Sequence, residues 1–457
     1  MVLVLGGIMV LPLLFALVYG ETSQVMSFGL AGLLSLMLGG MCLQLTSQPR
    51  RRSHVNDALA VAVLWCLGAP IPAALPFVFG TAEPSFLAGL HEAVSCLTTT
   101  GHSVIDLDGN DWPVSLLVWR GVLHCIGMVF SLVLAASVFA ALSLGGPGVQ
   151  RSVLFTVPDG SFFDAIPRVL RAVIAVCASL IGGTFAALLF AGIQPGQALS
   201  LAISVASTGL VDPAQSGQLV SGAPAIFVVF TGLVLATSGL AVLMNLSPKR
   251  LRFAAVDAEL YLLLGLVGVL GILAWLGGLD IFSAIGWAVS SLSTSGLSLG
   301  VPVSEVKSVL PITVLILPAL IGGAALSTAG GIKLARIIIL LRRAGQEFAQ
   351  LGFQHSIVAL RFRNRQQKQS SVLGVWVYLI AYIVAVSLVF VALSFLGEGF
   401  GTSMSIAVGA ISNSGWLIEL GEGSAVAKHL VVTFAMILGR LEILALLPVL
   451  NPSFWRA

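Results

Sequence analysis

Charge is what this 457-residue chain has least of: only 9% of its residues are Asp, Glu, Lys or Arg, against about 25% in soluble domains. A large water-exposed domain is excluded by that shortage. The five cysteines, Cys42, Cys66, Cys96, Cys125 and Cys177, include no close-spaced pair, so no zinc or redox motif and no disulfide framework is predicted. There is no His-Glu metal motif, no Ser-His-Asp set and no phosphate-binding Gly-Lys-Thr loop, so an enzyme reading has no catalytic cluster to rest on and no organic cofactor is expected. A net charge of +3 offers no basic surface for nucleic acid.

Apolar residues fill the space that charge leaves. They make up 58% of the chain, with a mean hydropathy of +1.05, which predicts an all-α integral membrane protein whose main partner is the lipid bilayer. A crossing helix needs ~20 apolar residues. Runs near 2–19, 26–46, 57–79, 114–143, 165–192, 220–246, 257–278, 308–343, 372–397 and 425–449 approach or exceed that length, giving about ten spans. Met1–Tyr19 lacks a basic leading segment and an Ala-x-Ala-like cleavage site, so it reads as a first spanning helix and not as a signal peptide.

Basic residues set the orientation. With the N-terminus in the cytoplasm, the inner loops receive Arg50, Arg51, Arg52, Arg151, Arg168, Arg171, Lys249, Arg250, Arg252, Arg336, Arg342, Arg343, Arg361, Arg363, Arg365, Lys368 and Arg456. The outer loops hold Lys307 and Lys428 among Asp106, Asp108, Asp111, Asp212, Glu305, Glu398, Glu419 and Glu422. The positive-inside rule therefore predicts both termini in the cytoplasm.

Four shorter segments, Ser85–Leu97, Gly196–Ala206, Ile281–Leu292 and Gly401–Ile411, are too short to cross and read as re-entrant half-helices on the outer side, tolerated where they line a cavity. Each ends in a small polar tetrad closed by glycine: Thr98-Thr99-Thr100-Gly101, Ala206-Ser207-Thr208-Gly209, Ser293-Thr294-Ser295-Gly296 and Ser412-Asn413-Ser414-Gly415. Helix, half-helix, tetrad and helix thus recur four times, at unequal spacing. Rings of backbone carbonyls from four loops can replace the hydration shell of a cation. Four helix C-terminal ends add the negative poles of their dipoles. One such tetrad would be a helix-ending site; four on the same side predict a cation pore.

These residues are similar to the superfamily of potassium transporters that includes bacterial TrkH and KtrB and the plant and fungal HKT/Trk proteins, the TrkH type matching best. The likeness covers almost the whole chain, with two extra N-terminal helices ahead of the repeats. It is carried by Leu97-Thr98-Thr99-Thr100-Gly101, Val118-Trp119-Arg120 leading into Ile126-Gly127-Met128, Ser327-Thr328-Ala329-Gly330-Gly331-Ile332-Lys333, Leu438-Gly439-Arg440-Leu441-Glu442-Ile443 and Pro452-Ser453-Phe454-Trp455-Arg456. The resemblance implies potassium uptake across the inner membrane, a homodimer with one pore per subunit, and K+ held by filter residues of the four tetrads. It also implies a cytosolic TrkA-like nucleotide-binding ring as regulator. The chain then divides into an extension, 1–56, and pore repeats over 57–145, 146–250, 251–345 (with a gating loop) and 346–457, the last with a cytoplasmic segment. Three departures, Trp416-Leu417, Leu210-Val211 and Ala325-Leu326, stand where the family commonly has Pro-Gly, Gly-Phe and Gly-Ser, so a sodium-permeable pore remains open. A proton- or sodium-coupled symporter would want a carboxylate relay, and deep acids are few.

The stretch Ile321-Gly322-Gly323-Ala324-Ala325-Leu326-Ser327-Thr328-Ala329-Gly330-Gly331 weakens a helix by roughly 1 kcal/mol per glycine and predicts a break, with close packing of small residues as the alternative. In the resembled family it is an intramembrane gate, with Lys333 at its cytoplasmic end. Arg440 and Glu442 lie within the last apolar run, where charge costs ~2.5 kcal/mol or more. They read either as an interhelical salt bridge or, from the family's arginine at this place, as a positive barrier at Arg440. Arg120 reads as structural, Glu92 with His91 as a paired or vestibule group, and His124, Trp112 and Trp119 as packing or interface residues.

Overall fold

Apolar helices without charged faces must bury one side against each other and leave the other for lipid, and the protein is built that way. The computed structural model describes residues 1–45, 55–81, 85–105, 112–139, 162–216, 220, 222–239, 258–352, 361–362, 365–366, 369–420 and 426–442. Arg50–Arg52, Asp106, Asp108, Asp111, Arg151, Lys249, Arg250, Arg252, Arg363, Lys368, Glu422 and the closing stretch 443–457 lie outside the described residues.

Among the described residues, seven helices are long and apolar enough to cross a membrane: Val2–Tyr19, Thr22–Leu45, Leu59–Gly80, Val114–Ala136, Ile166–Phe190, Ala258–Leu276 and Val372–Phe395. Their outer faces carry Leu33, Met37, Val61, Ile272, Leu388 and Phe395, each more than half exposed, an apolar surface that suits lipid. The chain is a multi-pass membrane protein.

The other three runs that the sequence marks as spans end differently. Ala223–Ser238 stops at Gly239, whose φ of +92° leaves the helical region. Over 308–343 the chain is not one helix: Ile312–Ile321 stops at Gly322 (φ +71°), and Leu334–Gly352 begins after a loop. The last, Val426–Arg440, is followed for only two described residues. Among the described residues the strand content is one antiparallel pairing, Arg361–Phe362 with Arg365–Gln366.

The N-terminal pair turns at Gly20 (φ +71°) and packs tightly, a Cβ on Gly39 falling 2.7 Å from the Leu3 nitrogen. It is bolted to the helices Leu59–Gly80 and Val114–Ala136. Glu21 accepts from the Val114 N–H (2.7 Å) and the Ser115 N–H (3.2 Å), satisfying free donors at the positive end of helix Val114–Val133. Gln24 Nε2 donates to the Gly80 carbonyl at 2.7 Å, and Phe28 meets Trp119 edge-on at 6.2 Å.

Four short helices, Phe86–Leu97, Pro195–Ser207, Ile281–Leu292 and Phe400–Ile411, stand within the bundle, and their last turns are buried. Glycine lets the following helix press onto two of these ends. A Cβ on Gly127 would lie 2.1 Å from the Leu97 carbonyl oxygen, and one on Gly439 would lie 2.1 Å from that of Ile411. Gly127→Ala and Gly439→Ala should therefore overpack, costing about 1–3 kcal/mol. Gly265→Ala, with nothing within 4 Å of the new methyl, should be neutral or stabilising. Thermal unfolding of the three variants in one detergent checks this; equal midpoints would contradict the packing.

Candidate functional site: a ring of helix ends over a buried loop

Each short helix is closed by the same backbone device. Thr99 (φ 55°), Thr208 (φ 55°), Thr294 (φ 61°) and Asn413 (φ 52°) occupy the left-handed region, three of them β-branched, for which that conformation is a true outlier. The next N–H then reaches back five residues: Thr100 to Ser95 (2.8 Å), Gly209 to Ser204 (3.2 Å), Ser295 to Ser290 (3.1 Å) and Ser414 to Gly409 (2.7 Å). This is the closing bond of a Schellman cap.

That geometry sets a register. Thr100, Gly209, Ser295 and Ser414 are equivalent, and so are Gly101, Leu210, Gly296 and Gly415. In the second repeat the structural tetrad is therefore Ser207-Thr208-Gly209-Leu210, one residue later than matching the glycines suggests, because that helix runs on through Ser207.

The four segments touch in cyclic order. A Cβ on Gly101 would lie 2.2 Å from the Leu210 nitrogen, and one on Gly209 would lie 2.2 Å from the Thr99 oxygen. Val220 N–H donates to the Ser298 carbonyl at 3.3 Å, joining repeats two and three. A Cβ on Gly296 would meet Trp416 Cβ at 2.5 Å. Gly415 N–H donates to the Thr100 carbonyl (3.1 Å) and Asn413 Nδ2 to Thr100 Oγ1 (3.1 Å), closing four onto one. All four tetrads are buried, so four helix C-terminal ends share one enclosed ring.

The Gly322–Lys333 loop lies against that ring. Its ends meet: Ile332 N–H donates to Leu320 O (2.9 Å) and Leu334 N–H to Gly323 O (2.9 Å). Thr328 Oγ1 donates to Ala206 O at 3.2 Å, and Gly330 N–H donates to Thr294 Oγ1 at 3.2 Å. A Cβ on Gly330 would collide with the Ser412 oxygen at 1.6 Å. The loop thus contacts the C-terminal ends of the second, third and fourth short helices. Gly322, Gly323, Ser327, Thr328, Ala329, Gly330 and Gly331 are all buried in it.

Two cations hold the loop. Lys333, itself at φ +79°, turns its ammonium back onto the carbonyls of Ser327 (3.1 Å) and Ala329. Arg440 donates through Nη1 to Thr328 O at 2.8 Å and through Nη2 to Ser131 Oγ at 2.5 Å. These partners are neutral oxygens. Glu442 pairs instead with Arg336, whose guanidinium lies 3.8 Å from the Tyr378 ring centroid, so Arg440 and Glu442 point to different partners.

Elsewhere, Glu92 is ion-paired with Arg120, both fully buried. His91 bonds Thr433 Oγ1 and His102 Nδ1, each at 2.9 Å. His124 backs the second tetrad, Ser207 Oγ lying 3.4 Å from its Nδ1. Trp119 donates to Ala73 O at 3.0 Å, and Trp112 sits under Arg120 at 5.1 Å.

No family model matches the chain. Among curated proteins, the Trk system potassium uptake protein TrkH of Halomonas elongata is 26% identical, over 98% of this chain and 96% of its own. TrkH of Escherichia coli K12 is 24% identical over 100% and 97%, and TrkG of the same strain 26% over 98% and 95%. The crystal structure of the potassium transporter TrkH from Vibrio parahaemolyticus superposes with a TM-score of 0.86 at 23% identity, covering 100% of this chain and 97% of that one. The chain resembles TrkH-type subunits over its whole length and shares their fold.

One residue of this site carried only a weak sequence signal. Glu259 is a lone acid at the start of an otherwise apolar helix; it is buried and accepts the Ala325 N–H at 2.9 Å, bracing the loop from behind. Glu259→Leu should leave that N–H unsatisfied, at about 1–3 kcal/mol, whereas Glu259→Gln keeps an acceptor. Detergent melting curves should place Gln near the parent and Leu well below it; the reverse order would remove Glu259 from the loop's support.

Proposed function

We propose that the chain is the ion-conducting subunit of a potassium uptake system in the inner membrane, not an enzyme, with both termini cytoplasmic. It passes K+ down the membrane potential through the ring formed by the four tetrads. The observation that supports this most is the ring itself: four helix C-terminal ends, all buried and packed one against the next, the fourth hydrogen-bonded to the first, at the edge of a loop studded with glycine. Negative dipole ends favour a desolvated cation there, and passage needs no bond to break.

The filter residues in this reading are Thr99, Thr100, Gly101, Ser207, Thr208, Gly209, Thr294, Ser295, Gly296, Asn413, Ser414 and Gly415, with Leu210 taking the outer place in the second repeat. The loop Gly322–Lys333 is the gate and Arg440 the barrier: an arginine among neutral partners keeps its full charge beside the path. Two chains form a homodimer. A TrkA-like nucleotide-binding ring docks on the cytoplasmic helix Leu334–Gly352, where Arg342 is exposed and Arg343 pairs with Glu347, and shifts the loop by differential contact with its two states.

Uptake of 86Rb+ against 22Na+ into liposomes holding the purified chain tests the reading. Rubidium uptake above sodium, driven by an imposed potential and unaffected by a pH gradient, is expected. Equal uptake would make it a sodium-permeable pore, and uptake driven by the pH gradient a symporter. In the same vesicles Arg440→Ala should raise flux several-fold, since each 1.4 kcal/mol removed from a barrier is tenfold in rate. Lower flux in fully folded Arg440→Ala would remove it as the barrier.

A further inference from the structure

Arg120 is fully buried, and its guanidinium serves two repeats at once. Nε donates to Val211 O at 2.7 Å, and Nη2 lies 3.3 Å from Leu210 O and 3.4 Å from Gly101 O. Nη1 is taken by the Glu92 carboxylate. The other Glu92 oxygen accepts from Ser103 Oγ (2.5 Å), Val104 N–H (2.8 Å) and Ile105 N–H (3.4 Å). One ion pair therefore fixes the segment leaving the first tetrad by the Gly101 carbonyl and the Val104 and Ile105 N–H groups, and the segment leaving the second by the Leu210 and Val211 carbonyls.

We propose that Arg120, oriented by Glu92, is a positioning residue for ion selectivity: it draws the Gly101, Leu210 and Val211 carbonyls toward itself and so sets the width of the ring's outer edge on the side of repeats one and two. The inference rests on the cation-pore reading. A carbonyl shared with a guanidinium is a weaker ligand for a second cation, so Gly296 and Gly415 supply the stronger of the outermost ligands. Among the described residues the segments leaving those two tetrads are held by other means: Trp416 packed on Gly296, the Lys307–Glu419 ion pair, and Ser405 Oγ on Leu417 O at 2.7 Å.

Arg and Lys separate geometry from charge at this site. Only a planar fork with five donors reaches three carbonyls and a carboxylate together; an ammonium keeps the ion pair and releases carbonyls. The pair is neutral overall, so removing the Glu92 charge leaves a bare cation beside the ring.

Selectivity is read as the 86Rb+/22Na+ uptake ratio in liposomes for the parent chain, Arg120→Lys, Glu92→Gln, Ser103→Ala and the double variant Glu92→Gln/Arg120→Gln, each matched for folded protein by gel filtration. Arg120→Lys should lower the ratio roughly fivefold, with total cation flux kept or raised. Glu92→Gln should depress uptake of both ions, and the double variant should recover it, because its site is again neutral. Ser103→Ala, which removes one bond from the strand, should shift the ratio in the same direction by less. A parental ratio in folded Arg120→Lys overturns the proposal. Should that variant not fold, parental ratio and flux in both Glu92→Gln and Ser103→Ala overturn it equally. If the parent chain itself takes up neither ion, the pore reading fails instead.

Discussion

The structure depends on ending four helices in the middle of an apolar bundle. A helix terminus there leaves carbonyls with no water to accept from, and each unsatisfied group costs several kcal/mol. The protein closes the terminus with one left-handed residue and one five-residue return bond, four times over. Thr99, Thr208, Thr294 and Asn413 accept roughly 1–2 kcal/mol each of backbone strain to do so. The return bond satisfies one carbonyl per helix and turns the chain sharply, so the following residues run beside the neighbouring repeat and hydrogen-bond to it. In the proposed function, cation selection and the stability of the fold draw on the same four segments.

Directly against those ends lies the least regular buried segment among the described residues. The Gly322–Lys333 loop has few side chains to pack, so its position is set by polar contacts from every side: Thr328 to Ala206, Gly330 to Thr294, Ala325 to Glu259, and Arg440 to Thr328. In the proposed function the loop moves as the gate, and its glycines are what permit a second backbone path. Helix Leu334–Gly352 continues straight from it. Arg336 on that helix grips Glu442, two residues beyond Arg440, so a displacement of the helix acts on the loop and on the arginine together.

Membrane class, the repeated helix and half-helix, and the broken third repeat are all legible in the sequence, because each is a local matter of apolar length or glycine density. The slip in the second tetrad is not. Matching glycines aligns Gly209 with Gly101, while the backbone aligns Gly209 with Thr100, and nothing local announces that the left-handed position is Thr208, a residue type that disfavours it. Partner choice is equally hidden. Arg440 and Glu442, two apart along one helical run, are expected to face different ways, but nothing local tells that one holds a carbonyl of the loop and the other an arginine of a different helix. Glu259 and Arg120 likewise have meaning only through segments distant along the chain.

The central claim is that the four capped helix ends form one cation site. Diffraction from crystals grown with thallium or rubidium in place of potassium, using the anomalous signal to locate the ion, tests it most directly. The account predicts anomalous density inside the ring bounded by Thr99–Gly101, Thr208–Leu210, Thr294–Gly296 and Asn413–Gly415, displaced by excess potassium. Density confined to the outer carboxylates, or an empty ring at saturating thallium, would contradict it.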